Sequence, residues 1–247
     1  MDFDTKTYLI QIKKRYRNIL AILFLLYVVY NLVTISQVLP FHTYTVKDGL
    51  SSNFVNVMCQ DSRGYLWIGT TDGISIYDGA TFKNITTSDG LSFSHVNDMI
   101  ESKKNPGVMW IATNGGGVCK FVNYKMVHYF VGDNKWTNRV NCIREDHNGT
   151  IWCGADEGVF YLENNTFVRF KKEIIFTSVT SCEETPDSIL WITNSFKLFY
   201  YDFKSIKLSN YDLGIDSSIE MSRLNLGEEG NLWIGLSDCS IICLGKK

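Results

Sequence analysis

From Val55 onward the chain alternates apolar and polar residues with period two, and the alternation breaks at Asp, Asn and Gly. That pattern predicts short half-buried strands joined by tight turns. Val55–Gln60 reads as a strand, Asp61-Ser62-Arg63-Gly64 as a turn and Tyr65–Thr70 as a second strand. Asp72-Gly73 leads into a third strand, Ile74–Tyr77, and Asp78-Gly79 into a fourth, Thr81–Thr86. Neighbouring strands joined by such short turns form an antiparallel meander.

The meander recurs. Trp67 of Gly64-Tyr65-Leu66-Trp67-Ile68-Gly69 has counterparts in Trp110, Trp152, Trp191 and Trp233, at spacings of 43, 42, 39 and 42 residues. Val55, Val140, Val179 and Met221 each stand 12 residues before their tryptophan, and Val96 stands 14 before, with two residues inserted within Lys103–Pro106. Asp48, Asp89 and Asp133 lie 7 residues before their valine, and Gly214 lies 7 before Met221. Four strands in each repeat of about 41 residues correspond to the blade of a β-propeller. The expected fold is therefore all-β, with four-stranded antiparallel blades.

The tryptophan falls mid-way along the second strand, where both neighbouring strands are paired, and its ring would fill the gap between blades. Gly69, Gly154 and Gly235 follow two residues later and permit close approach. Phe41–Thr45 aligns with the fourth strand of a unit, as Phe41-His42-Thr43-Tyr44 matches Val127-His128-Tyr129-Phe130. At the other end, Met221–Leu226, Leu232–Gly235 and Ser240–Leu244 provide three strands. The expectation is a five-bladed propeller in which residues 41–54 complete the last blade and close the ring. The alternative is part of a seven-bladed one.

Residues 1–18 are basic, with Lys13, Lys14, Arg15 and Arg17 just before the uncharged run Ile19–Ile35. Residues 19–38 read either as a signal peptide cleaved near Ser36 or as a retained membrane anchor, and both imply export. Residues 41–247 form the globular part. Residues 1–40 carry five Lys/Arg against two Asp, leaving 19 basic and 24 acidic residues beyond. A mildly acidic body argues against nucleic acid as partner, because phosphate binding needs a basic face.

Little in the sequence points to catalysis, and no cofactor or metal site is implied. His42, His95, His128 and His147 show no metal-ligand spacing, and His42 and His128 share a slot on a polar strand face. Gly115-Gly116-Gly117 lacks the Lys-Ser/Thr and the helix of a phosphate loop and reads as a turn. Seven cysteines at irregular spacing form no disulfide framework. If Asp146–Gly149 is a hairpin turn, Cys142 and Cys153 face each other across two strands. The alternative is that both remain free thiols.

The run Asp48-Gly49-Leu50-Ser51-Ser52-Asn53, then Val55-Asn56, then Asp61 through Trp67 to Thr70, resembles the two-component regulator propeller repeat. The resemblance covers about residues 41–247; in the fourth unit Asn194-Ser195-Phe196 replaces the usual Thr-Asp-Gly turn. It implies a periplasmic sensor of the kind found in hybrid histidine kinases of Bacteroidetes, recognising oligosaccharides. The chain reads as a truncated or stand-alone member without its own kinase module, with a separate histidine kinase chain or a second copy of itself as the expected partner.

The loops expected on one face carry Asp72, Asn114, Asp156, Asn194 and Asp238 between second and third strands, and Asn53, His95, Trp136 and Asn138 between blades. An aromatic plate beside carboxylates and amides suits a sugar, which offers an apolar face and many hydroxyls. Asp and Asn also make turns, so each of these positions has a purely local reading beside the ligand one. The rival functional classes are a propeller glycosidase or lyase, with Asp72 and Asp156 as its carboxylates, and a scaffold for protein partners.

Overall fold

The computed structural model describes residues 13–27, 41–172, 174 and 176–245. Two compact units divide at Thr43. In the first, residues 13–27 are helical. Among the described residues no helix is long and apolar enough to cross a membrane. The rest of the proposed leader or anchor, residues 28–38, lies outside the described residues.

The second unit, Tyr44–Lys247, is a five-bladed β-propeller. The first blade is Val55–Gln60 (β1), Leu66–Thr70 (β2), Gly73–Tyr77 (β3) and Phe82–Ile85 (β4). The second is Val96–Glu101 (β5), Met109–Thr113 (β6), Val118–Val122 (β7) and Lys125–Tyr129 (β8). The third is Val140–Glu145 (β9), Ile151–Ala155 (β10), Gly158–Glu163 (β11) and Thr166–Arg169 (β12). The fourth is Val179–Thr185 (β13), Ile189–Asn194 (β14), Leu198–Asp202 (β15) and Lys207–Tyr211 (β16). The last is Met221–Leu226 (β17), Leu232–Leu236 (β18) and Ile241–Leu244 (β19). Every sheet is an antiparallel meander in chain order, and β1, β5, β9, β13 and β17 pack successively as the inner strands.

The first hairpin of each blade turns on a residue in the left-handed region. Gly64 and Gly149, at φ of 90° and 89°, donate their N–H to the carbonyls of Asp61 and Asp146. Glycine adopts that conformation without the steric cost a side chain brings. Ser188 takes the same slot in the fourth blade at φ 67°. The Gly115–Gly117 run forms the turn between β6 and β7, where Gly117 donates to the Asn138 carbonyl.

Each of the five periodic tryptophans but the last wedges its blade onto the next. Trp67 packs with Met109, Ile111 and Cys119 of the second blade. Trp110 packs with Ile143, Ile151 and Phe160 of the third. Trp152 joins Val179, Leu190 and Ile192 of the fourth, and Trp191 packs on the Leu224–Ile234 cluster of the last. In the first, third and fourth blades the indole N–H is anchored as well, in the fourth by the Thr185 hydroxyl. Trp67 Nε1 donates to Asp61 at 3.1 Å and Trp152 Nε1 to Asp146 at 2.8 Å. In the last blade the corresponding position is Gly227, which offers no side-chain acceptor.

Polar hooks reinforce these seams. Asn56 Nδ2 donates to the Val96 carbonyl (2.9 Å), Asn97 to Val140 (2.9 Å), Asn141 to Val179 (3.0 Å) and Thr180 Oγ1 to Met221 (3.3 Å). A second set joins the hairpin turns of the first three blades to the next inner strand. The Ser62 amide donates to Glu101, the Lys103 amide to Glu145 and the His147 amide to Glu184.

The structure corrects three sequence expectations. Residues 41–54 do not complete the last blade, which has three strands. Instead Val46–Asp48 winds into a 3-10 turn, capped reciprocally by Thr45 and Asp48. Tyr44 packs on Tyr77 and Phe82 of the first blade, at ring-centroid distances of 5.2 and 5.4 Å. Local capping and aromatic packing thus hold the segment from Tyr44 onward on the first blade. Second, Trp233 is 44% exposed against 1% for Trp67. Among the described residues β17 makes no packed seam with β1 comparable to the others, and Ser222, in the hook position, bonds back to Gly235 of its own blade. Gly69 and Gly154 do serve close packing, since an added Cβ would meet the next blade's Val96 at 2.7 Å or Val179 at 2.3 Å. At Gly235 it would meet only its own blade, Ser222 Oγ at 3.0 Å and the Arg223 carbonyl at 3.9 Å.

Third, Cys142 and Cys153 are not a facing pair. The hairpin turn sets Ile151 opposite Glu145, so Cys142 faces Gly154 and Cys153 faces Ile143. A slip of one residue places side chains on opposite faces of a sheet. Cys153 accordingly lies in the core between blades two and three, and Cys142 in that between blades three and four.

Two outcomes test this architecture. Trp67→Ala is expected to cost about 3–5 kcal/mol, as for buried large-to-small changes, and Trp233→Ala about 1 kcal/mol or less, measured by urea denaturation. Asp61 gives a pH test. Burial opposes its charge, but hydrogen bonds from the Arg63 guanidinium, the Trp67 indole and the Tyr65 and Arg63 amides outweigh burial and lower its pKa. A depressed carboxylate contributes stability that is present above its unfolded value and lost as pH falls through the folded one. The melting temperature should therefore drop below about pH 4. Asp61→Asn should melt lower at neutral pH and show a shallower acid drop.

Candidate functional site

The inner strands surround an axial cavity in two compartments. The upper one, about 560 Å³, is lined by Val55, Asn56, His95, Asn97, Asn141, Asp156, Ser178, Thr180 and Arg223. The lower one, about 370 Å³, is lined by Asn56, Val57, Met58, Asp98, Met99, Ile100, Arg144, Arg223, Leu224 and Asn225. Arg223 borders both.

The inner-strand amides reach the axis because Asn56, Asn97 and Asn141 each occupy the position after the marker valine. Their Nδ2 groups are committed to the seams. The Oδ1 atoms of Asn56 and Asn97 accept no hydrogen bond from a described residue and remain available as acceptors for a hydroxyl. Below them runs an ionic chain. Asp98 is buried and accepts from the Ile143 amide at 3.1 Å, from Arg144 at 2.6 Å and from Arg223 at 2.9 Å. Arg144 also donates to Glu183 at 2.7 Å. Burial works against the Arg144 charge, and the charges of Asp98 and Glu183 overcome it, raising its pKa above the ordinary value. Arg223 of the last blade thereby reaches Asp98 of the second.

At the rim, Arg139 ties several predicted residues together. Its Nε donates to Asn114 at 2.9 Å, its Nη1 pairs with Asp156 at 3.2 Å, and its guanidinium lies 5.3 Å from the Trp136 ring centroid. Asp156 also accepts from Asn141 at 2.9 Å. Trp136 is 41% exposed, and Lys135 Nζ lies 4.7 Å from its ring.

Of the nine predicted ligand residues, His95 and Asp156 line the upper compartment, and Asn114 and Trp136 adjoin it through Arg139. The other five do local work or stand apart. Asn138 is buried and spends its amide on Val131, Gly132 and Asn134. Asn53 accepts from the Val46 amide. Asn194 and Asp238 cap their own turns by accepting from Lys197 and Ser240. Asp72 is an exposed turn residue. The sequence reading missed Asn56, Asn97, Asn141, Thr180 and Arg223. The first three were legible as a Val-Asn pair repeated in register.

Two further cavities lie at outer seams. One, about 470 Å³, lies between blades one and two and includes Arg63, Trp67, Phe121 and Tyr124. The other, about 400 Å³, lies between blades three and four and includes Asp146, Trp152, Phe170 and Tyr201. Both are built around the wedge tryptophan, so they follow from the repeat itself. Among the described residues no group of three His, Cys, Asp or Glu is placed to hold a metal. His128 Nε2 contacts the Gly90 carbonyl, an outer-strand latch that Asn84 makes to Gly49 in the preceding unit.

Comparison with known proteins fits this architecture. The family described as two component regulator propeller matches residues 49–72 and 135–157. Histidine kinase P4 of Formosa agariphila is 49% identical over 43 residues, which cover 17% of this chain and 3% of that protein. Among solved structures, the extracellular domain of BT3049 of B. thetaiotaomicron, described as a hybrid two component system, superposes with a TM-score of 0.70 at 20% identity. That match covers 83% of this chain and 30% of the other. Virginiamycin B lyase of Staphylococcus aureus superposes with a TM-score of 0.60 at 14% identity, over 77% of this chain and 69% of the lyase. Two segments of the chain thus match the two component regulator propeller model, and the fold is one found both in extracellular domains of two-component proteins and in a lyase.

The axial ion network makes a testable prediction. Asp98→Ala leaves the buried Arg144 with one partner fewer and strands Arg223, and is expected to cost about 3–5 kcal/mol. Arg223→Ala removes a half-exposed guanidinium and should cost about 1 kcal/mol or less. Chemical denaturation of both variants checks the contrast.

Proposed function

We propose that this propeller is the ligand-binding part of an extracytoplasmic two-component sensor, with an oligosaccharide received at the upper axial compartment. The observation that carries this reading is the chemistry of that compartment. Amide oxygens, the carboxylate of Asp156 and the guanidinium of Arg223 line it, and Trp136 stands beside its rim. Such a lining pairs hydroxyl-binding groups with an aromatic surface, as sugars require. The family match and the likeness to extracellular domains of two-component proteins support the sensing role. The signal would pass to a histidine kinase module outside the propeller.

The lyase likeness raises an enzymatic reading. Glycoside hydrolysis needs two carboxylates flanking one bond. Asp156 is the one carboxylate lining the upper compartment, and it is already paired with Arg139. Asp72 lies outside that lining. The binding reading is therefore preferred.

A panel of polysaccharide-derived oligosaccharides, assayed by thermal shift and by release of new reducing ends, tests the proposal. The expected result is stabilisation by one class of sugar without turnover. Trp136→Ala and Asp156→Asn should each weaken that ligand about tenfold, or ~1.4 kcal/mol, with little change in the melting temperature of the free protein. Reducing ends that accumulate with time would establish an enzyme instead.

A further inference from the structure

Among the described residues, the seam between blades three and four has a feature that the other seams do not. Cys142 on β9 and Cys182 on β13 are 2% and 1% exposed, and their sulfurs stand 3.3 Å apart in a thiol–thiol hydrogen bond. Gly154, opposite Cys142, makes the room, because a Cβ there would lie 2.7 Å from the Cys142 sulfur. The two cysteines sit on inner strands of consecutive blades, already held in register by the Asn141 hook to Val179. A disulfide has an S–S bond of about 2.05 Å, so each sulfur needs to move by less than about 1 Å.

We propose that Cys142 and Cys182 form a disulfide that staples the third blade to the fourth. The chemistry is thiol–disulfide exchange. One cysteine, as thiolate, attacks a sulfur of a small-molecule or protein disulfide and expels one thiol. The second cysteine attacks the resulting mixed disulfide and expels the other thiol. The two cysteines give up two electrons and two protons, and the oxidant is reduced to two thiols. The hydrogen bond to Cys142 and burial push the Cys182 thiol pKa well up, and neither sulfur is reachable once the seam has closed. The exchange therefore belongs to folding, before the two blades dock. The oxidant's presence rests on the extracytoplasmic location proposed above; the pairing rests on geometry alone.

The test is refolding of reduced, unfolded protein in a mixture of reduced and oxidised glutathione, followed by alkylation in denaturant. The unaltered chain has 7 cysteines. The expected result is a loss of two alkylatable thiols and, in a non-reduced digest, a peptide containing Cys142 linked to one containing Cys182. Reductant should then lower the melting temperature by about 5–15 °C, as for a closed loop of this length in a domain of this size. Cys182→Ala should abolish both the linked peptide and the shift. Full alkylation of all thiols, or linkage of Cys142 to Cys153, would overturn the proposal whether or not that variant folds. Protein alkylated inside the source cells before lysis separates the two readings. A reduced pair there, beside a linked pair after glutathione refolding, would count against the extracytoplasmic location and leave the pairing in place.

Discussion

No blade of this propeller can satisfy itself. Each sheet has an apolar face that its own strands cannot cover, so stability depends on the face supplied by the following blade. The chain meets that need with one device used four times. An indole from the second strand fills the gap, and a side chain one residue after the marker position reaches forward to the next inner strand's first carbonyl. The apolar part supplies most of the free energy, since burial of a large aromatic ring outweighs a single hydrogen bond. The polar part sets the register, because a carbonyl can be met at only one place.

The same positions that build the seams also build the cavity. Asn56, Asn97 and Asn141 spend their amide nitrogens on cohesion, and their carbonyl ends belong to the wall of the axis. The ionic chain of Asp98, Arg144, Glu183 and Arg223 underlies them. Buried charges of this kind are costly unless matched, and here the carboxylates and guanidiniums alternate. The result is a polar floor with its charges internally compensated, under a mouth able to exchange hydrogen bonds with a ligand.

Much of this was legible in the sequence. The tryptophan period gave five units, and the first unit's strand limits agree with the structure to within a residue or so. Wedge packing was correct for Trp67, Trp110, Trp152 and Trp191. It was not for Trp233, because exposure depends on what stands opposite, and a repeat pattern carries no information about that. The assignment of residues 41–54 to the last blade relied on alignment to a fourth strand; the capping of Val46–Asp48 and the packing of Tyr44 on Tyr77 and Phe82 prevailed. For the candidate site, the recurring loops brought Asp156 and His95 to the lining of the upper compartment, but five of the nine residues make turns or local bonds or stand apart from it. Arg223 was invisible, since its significance comes from Asp98, 125 positions away in sequence. The cysteine pairing failed by a single step of register, which in a sheet means the wrong side.

The hooks have a direction. Asn56, Asn97, Asn141 and Thr180 all reach toward the C-terminal neighbour, and none reaches back. A hook of the same kind at the first three joints, all pointing one way, does not depend on how many such joints there are. Splicing a whole unit in or out, cut at the same phase, would leave every donor facing an acceptor of the kind it already meets. Such an arrangement lets evolution lengthen or shorten the array without redesigning the hooks, while the axial ion chain, which is not repeated, sets the limit.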